Sequence, residues 1–189
     1  LASQAQLWHD LPPRVEDTVY GTLLLSMVRR KALHCAALLR GAAEEMATDK
    51  AIADKYAPLF LGVAEQFALL AVSAEEDWDA AAKRRVDFPR LTPVRKCGDE
   101  ALKAKMQGVW NGCKKTAKGF DEVFSVTSAE AMEDLRAMAP AMLALLKLTA
   151  DFSRAYQEEK RRRNAADFSD QEHEAIDLLL GADGQPTDL

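Results

Sequence analysis

The sequence predicts an all-α fold, a bundle of about six helices that includes long antiparallel ones. Three observations point there. Glycine and proline are few, nine and seven in 189 residues, and they cluster at a handful of places. Between those places apolar residues recur at helical spacing, without strand-like alternation. Three segments of the form Ser/Thr-x-x-Glu also stand at the head of such stretches, as capping boxes do.

The first long helix is expected over about 14–47, behind Pro12-Pro13. Val15, Val19, Leu23, Met27, Leu33 and Ala37 form its expected apolar stripe. The second covers about 49–72, with Pro58 expected to kink or restart it. Ser73-Ala-Glu-Glu76 reads as the opening of a short third helix, through Trp78 to about Val86. Phe88-Pro-Arg-Leu-Thr-Pro-Val follows, and each proline disfavours helical backbone at the residue before it, so 87–97 is expected as an extended linker. A helix over about 99–124 comes next. Thr127-Ser-Ala-Glu130 then opens a long helix to about Asn164, bent near Pro140. Ser169-Asp-Gln-Glu172 opens the last helix, through Leu180, and Gly181-Ala-Asp-Gly184 terminates it.

Composition narrows the function classes. The chain is 48% hydrophobic and 29% charged, ordinary for a soluble globular domain. Its most apolar runs, 23–28 and 142–148, are too short to cross a bilayer, and no secretion leader is read at its start. Cys35, Cys97 and Cys113 are odd in number and lack C-x-x-C spacing. Neither a disulfide framework nor a zinc site is expected, and a reducing, cytoplasmic setting fits. No phosphate-cradling G-x-x-x-x-G-K-[ST], no G-x-G-x-x-G, no H-E-x-x-H and no G-x-S-x-G occurs. Of three histidines only His173 has a carboxylate, Asp170, three residues earlier, and one such pair is not a metal site. His34-Cys35 lies inside an expected helix and reads as packing. No catalytic residue, metal ligand set or bound cofactor is therefore expected in this chain.

Charge is distributed unevenly. The total is −5, yet between residues 83 and 118 eleven basic residues face only three acids, Asp87, Asp99 and Glu100. Such a segment can meet phosphates. Arg84, Arg85, Arg90, Lys96, Lys103, Lys114, Lys115 and Lys118 are the candidate DNA-binding residues, with Trp78, Phe88 and Trp110 in or beside them. A solvated helix face explains the same pattern. The second basic run, Lys160-Arg-Arg-Arg163, ends a helix, where it suits the helix dipole.

The C-terminal third carries a resemblance. Tyr156-Gln-Glu-Glu-Lys-Arg-Arg-Arg-Asn-Ala-Ala-Asp-Phe-Ser-Asp-Gln-Glu-His173 resembles the segment just upstream of the Walker B motif in AddA-family (RexA-like) helicase–nuclease subunits, which are UvrD-like superfamily 1 helicases. Glu133-Asp-Leu-Arg-Ala-Met-Ala-Pro140 and Phe88-Pro-Arg-Leu are similar to neighbouring family segments. Gln171 departs from the family's usual Leu. The resemblance covers about 80–189 and implies a helical 1B subdomain over 1–165, with 166–189 as a return segment toward a RecA-like motor domain. It implies a parent that is an ATP-dependent helicase and exonuclease in double-strand-break repair, using ATP and Mg, working with an AddB/RexB-like subunit and no membrane. This piece would hold neither catalytic centre and would touch DNA backbone, not sequence. Asp167, Phe168, Asp170 and His173 form the family motif. They are expected to be structural, with Asp167 or Ser169 capping the last helix and Phe168 buried as its anchor. A protein-interaction or interdomain scaffold without DNA contact is the other reading of the same bundle.

Overall fold

A computed structural model describes residues 2–94, 98–180 and 184–187. Arg95, Lys96 and Cys97 lie outside the described residues, as does most of the expected 181–184 terminator. Among the described residues there are seven α-helices and no strand, with one isolated bridge between Leu180 and Pro186. The chain divides into two compact units, Asp10–Met138 and Leu1–His9 with Ala139–Leu189. The resemblance boundary at 165/166 falls inside the second of these.

In the larger unit, one turn of 3-10 helix at Val15–Asp17 leads into α2 (Val19–Glu45). Thr18 caps α2, its hydroxyl accepting the Gly21 N–H at 2.9 Å. α3 (Lys50–Glu76) returns against α2, and Arg29 within α2 pairs with Glu75 near the end of α3. This is the expected antiparallel pairing. The buried face of α2, however, is Leu25, Val28, Ala32, Cys35, Ala36, Leu39, Ala42 and Ala43. The stripe read from the sequence was a different one: Val19, Leu23 and Leu33 are exposed. Pro58 sits on the exposed side of an uninterrupted α3 and neither breaks nor restarts it. α3 is long and apolar enough to cross a membrane by composition alone. Here Ile52, Tyr56, Phe60, Val63, Phe67 and Leu70 form the centre of the core.

Ser73-Ala-Glu-Glu76 does not open a helix. These residues close α3, and α4 (Trp78–Ala82) begins behind Asp77, whose carboxylate accepts the Ala80 N–H at 2.6 Å. Ser73 is buried and accepts Arg84 Nε at 3.3 Å instead.

The expected extended linker is present, without regular structure from 84 to 94. It runs antiparallel to α3. The Asp87 N–H bonds the Gln66 side chain at 2.7 Å, Phe88 packs on Phe67, Lys55 Nζ reaches the Pro93 carbonyl at 2.7 Å and Gly98 N–H reaches Asp49 at 2.8 Å. α5 (Glu100–Val123) then rises in the same sense as α3, with Phe60 against Trp110 and Phe67 against Phe120. Two neighbouring parallel helices need a return stroke as long as the helix. From Ser73 back to Asp49 is about 36 Å of helix rise. An extended chain covers that in roughly a dozen residues, whereas a helical connection would need twice as many. The prolines keep this stretch extended, and Phe88 pins it to the core. Thr127 and Glu130 form the expected capping box at the start of α6 (Ser128–Arg163): Thr127 N–H to the Glu130 carboxylate at 2.8 Å, Glu130 N–H to Thr127 Oγ1 at 3.2 Å.

The smaller unit holds α1 (Ala2–His9), which the sequence reading missed, the remainder of α6 with Pro140 inside it, and α7 (Phe168–Leu179). α6 ends in a Schellman turn: Asn164 adopts φ 50°, its N–H bonds the Arg161 carbonyl, and Ala165 N–H bonds the Lys160 carbonyl at 3.0 Å.

Candidate nucleic-acid interface

The basic residues sit on two adjoining elements, the extended segment and α5. The buried face of α5 is Leu102, Met106, Trp110, Cys113, Ala117 and Phe120. Lys103, Gln107, Asn111, Lys114 and Lys118 recur at spacings of three and four residues beside it, so they share one strip of the helix. The extended segment lies along that strip. Between them runs an open groove of about 330 Å³, lined by Phe88, Arg90, Gln107, Trp110, Asn111 and Lys114 among others.

Lys83, Arg85, Arg90, Lys114, Lys115 and Lys118 are exposed and make no ion pair among the described residues. Lys103 pairs with Glu100 at 3.1 Å, and Lys105 reaches Glu45 of α2 at 2.6 Å. Arg84 is engaged by Ser73 and, with Arg85, lines a small crevice against Ala117 and Asp121. Lys96 lies outside the described residues. The structure thus brings Arg90 and Lys114 to one groove and leaves Lys103 screened by an acid. Gln107 and Asn111, amide donors on the same strip, were not singled out from the sequence. Their spacing from Lys103 and Lys114 was the available signal.

The aromatic residues near the basic segment are packing groups. Trp78 is buried, donates Nε1–H to the Val126 carbonyl at 2.9 Å and meets Phe124 edge-on. Trp110 is 4% exposed and meets Phe60 and Phe88. Neither indole offers a free face for a base to stack on.

The C-terminal motif builds a turn. Asp167 caps α7 in a reciprocal box with Asp170: Asp170 N–H to Asp167 at 3.0 Å, Asp167 N–H to Asp170 at 2.9 Å. The cap thus stands two residues before the expected Ser169 box. Tyr156 donates its hydroxyl to Asp167 at 3.0 Å, and the buried Lys160 ammonium bonds Asp170 at 2.6 Å and Asp167 at 3.2 Å. That ammonium also stands 4.7 Å over the Tyr156 ring. The Asp170 backbone N–H, then Lys160 and Tyr156, hold the Asp167 carboxyl down to about 2. The hydrogen bond from Lys160 lowers Asp170, and the same bond raises Lys160. Phe168 is 84% exposed, so it is not the buried anchor expected. α7 is short of apolar partners altogether, and hydrogen bonds rather than burial fix its start. His173 Nδ1 lies 2.6 Å from the Ser169 carbonyl oxygen one turn back. Among the described residues no three His, Cys, Asp or Glu side chains converge as metal ligands would.

No family model matches the sequence. Individual curated proteins do match. The chain is 36% identical over 146 residues to an AddA-type ATP-dependent helicase/nuclease subunit of Carboxydothermus hydrogenoformans, covering 69% of this chain and 12% of that protein. It is 32% identical over 139 residues to the protein of the same name from Desulforudis audaxviator, covering 69% and 11%. Against that of Acetivibrio thermocellus it is 29% identical over 170 residues, 86% of this chain and 13% of the other. The chain therefore spans roughly a tenth of the length of these relatives.

Proposed function

We infer that this chain is a helical segment of an AddA-type ATP-dependent helicase/nuclease, and that its part in that protein is to hold DNA by the backbone without performing chemistry. The similarity runs along most of the chain but over little of the relatives, which fits an insertion within a much larger motor protein. On this reading the segment is the 1B-like accessory subdomain. The parent is a cytoplasmic helicase and exonuclease that uses ATP and Mg, processes double-strand breaks and works with an AddB/RexB-like subunit. Residues 166–189 lead back toward its RecA-like motor domain.

The observation that carries the DNA reading is the set of exposed cations on the extended segment and α5 that make no ion pair among the described residues. In a chain of net charge −5 they concentrate positive potential on one face. Each phosphate neutralised by such a residue releases counterions, giving affinity without base readout. Binding of the 189-residue chain to duplex at low salt tests this. Charge reversal at Arg85, Arg90, Lys114, Lys115 and Lys118 is expected to abolish binding and flatten the salt dependence, while reversal at Arg161, Arg162 and Arg163 leaves both unchanged. The opposite pattern would place the contact on the wrong surface.

A second reading is favoured by one observation in the smaller unit. Leu145, Leu148, Phe152 and Tyr156 lie at helical spacing on one face of α6 and are all exposed. A domain that served only as an interdomain scaffold would use such a face, and neither set of charge reversals would then affect DNA.

A further inference from the structure

We propose that the groove between the extended segment and α5 is a seat for one phosphodiester of a DNA strand, held between Arg90 and Lys114, with Gln107 and Asn111 donating beside it. This rests on the DNA reading above and deepens it, because it selects one place on the basic face and one chemical contact there. The observations are geometric. Arg90 comes from the extended segment and Lys114 from α5, and both line the same recess. Two cations from different elements thereby border one recess. Neither has a carboxylate partner among the described residues, whereas Lys103 and Lys105 on the same helix do. Gln107 and Asn111 lie one turn apart and add neutral N–H donors to the α5 wall, close to the Lys114 end.

The floor decides what the seat reads. Phe88 and Trp110 meet edge to face at 5.0 Å, and Trp110 is almost fully buried. Trp110 therefore offers a base no open ring, and Phe88, itself partly buried, is engaged by Trp110 and Phe67, which leaves little of the usual source of single-strand base affinity. The volume, about 330 Å³, is at the small end of ligand clefts and suits one nucleotide unit rather than a whole duplex face. What remains is charge and hydrogen bonding to the sugar–phosphate chain. The extended segment keeps this shape because its backbone is fixed on both sides of the groove, at Gln66 before Phe88 and at Lys55 after Leu91.

The test measures anisotropy of labelled twelve-nucleotide strands with the 189-residue chain at low salt. The probes are a thymidine strand, an abasic strand of equal length and a duplex. Arg90→Glu with Lys114→Glu is expected to weaken thymidine-strand binding at least tenfold and to reduce the slope of log affinity against log salt by about 0.7, the value for one phosphate contact on a single strand. The abasic strand is expected to bind within about threefold of the thymidine strand, since no base is read. Gln107→Ala with Asn111→Ala, which leaves the charge intact, should weaken both without changing the slope. Loss of duplex binding alongside that of the strand identifies the phosphodiester as coming from either form, and loss for the strand alone assigns it to unpaired DNA. All four side chains are exposed, so an unchanged thermal melt confirms that the variants fold. If Arg85→Glu with Lys118→Glu weakens binding and the groove variant does not, the seat is refuted and the broader DNA reading stands. If neither does, both fall. An abasic strand that binds more than tenfold weaker refutes the seat in favour of base contact.

Discussion

The Asp49 carboxylate accepts the backbone N–H of Gly98 at 2.8 Å, joining the start of α3 to the entry of α5. The same carboxylate takes the Asp99 N–H at 3.2 Å on that side and the Ala51 and Ile52 N–H groups at 2.9 and 3.2 Å on the other. One side chain thus caps α3 and fixes where the return stroke ends. That sets the register of α5, and so the position of Lys114 at the groove that Arg90 also lines.

Asp49→Ala should lower the melting temperature by about 4 °C or more, since loss of an ordinary cap alone is worth a few degrees in a domain of this size. Asp49→Asn should recover part of that. Partial burial opposes ionisation of Asp49, but the four backbone donors outweigh it, so its pKa lies below the ordinary 3.8. A lowered carboxylate pKa contributes stability that is fully present above the unfolded value and is lost as pH falls through the folded one. The gap in melting temperature between parent and Asp49→Ala should accordingly be constant above about pH 5 and close below about pH 4. A gap that widens in acid would show the sign to be wrong.

Gly21 is needed for close approach. A Cβ there would overlap the Val15 carbonyl oxygen, part of the turn that carries the chain into α2. Gly21→Ala is expected to destabilise by about 1–3 kcal/mol, as overpacking does. Gly41 lies in the same helix with open space around its Cβ position. Gly41→Ala should stabilise by up to about 1 kcal/mol from helix propensity. Denaturant titration of both variants checks the contrast, and equal effects of one sign would contradict it.

Tyr56 is fully buried, and its hydroxyl has no hydrogen-bond partner among the described residues. A buried donor left unsatisfied costs roughly 1–3 kcal/mol. Tyr56→Phe keeps the ring, including its packing on Phe60, and removes that cost. The variant should melt at or above the parent temperature. A drop of several degrees would mean that the hydroxyl is bonded in solution.

The helices were legible where one signal dominated. Capping at Thr127 and the prolines at 89 and 93 acted locally, so the start of α6 and the extended stroke could be read directly. The burial of α2 could not. Leu23, Leu24 and Leu25 stand side by side, so apolar spacing fits more than one face. The choice is made by small residues, Ala32, Ala36, Ala42 and Ala43, which let α3 approach closely. Ser73 satisfied the capping pattern but was already inside α3, while Asp77 had the free carboxylate and the extended backbone a cap requires. For the candidate site, composition revealed the basic surplus but not the pairing of Arg90 with Lys114. That proximity depends on a linker folded back along α3, a relation between residues 24 apart that no local pattern encodes.

The fixing of α7 by Lys160 shows the same limit and carries the last prediction. α7 has no buried residue, and Ile176, Leu179 and Leu180 are exposed. Its attachment therefore depends on the Lys160–Asp167–Asp170 cluster and the reciprocal cap. Lys160 is buried, so its removal leaves two carboxylates facing each other without their cation. Lys160→Met should leave the helices of the larger unit intact while amide exchange in 168–179 rises at least tenfold. In the parent, those amides should already be less protected than those of α2 in a monomeric sample, because no apolar face holds α7 down. The pH limits follow from the shifts. Asp167 is lowered from 3.8 to about 2, so its contribution is present above 3.8 and lost as pH falls through about 2. Lys160 is raised above 10.5 by Asp170 and Asp167, so its contribution is present below 10.5 and lost as pH climbs past the raised value. Protection of α7, corrected for the intrinsic exchange rate, should thus form a plateau between these limits and fall outside them. Equal protection of α7 and α2, or a Lys160→Met variant with unchanged exchange in 168–179, would show that something other than this cluster secures the last helix.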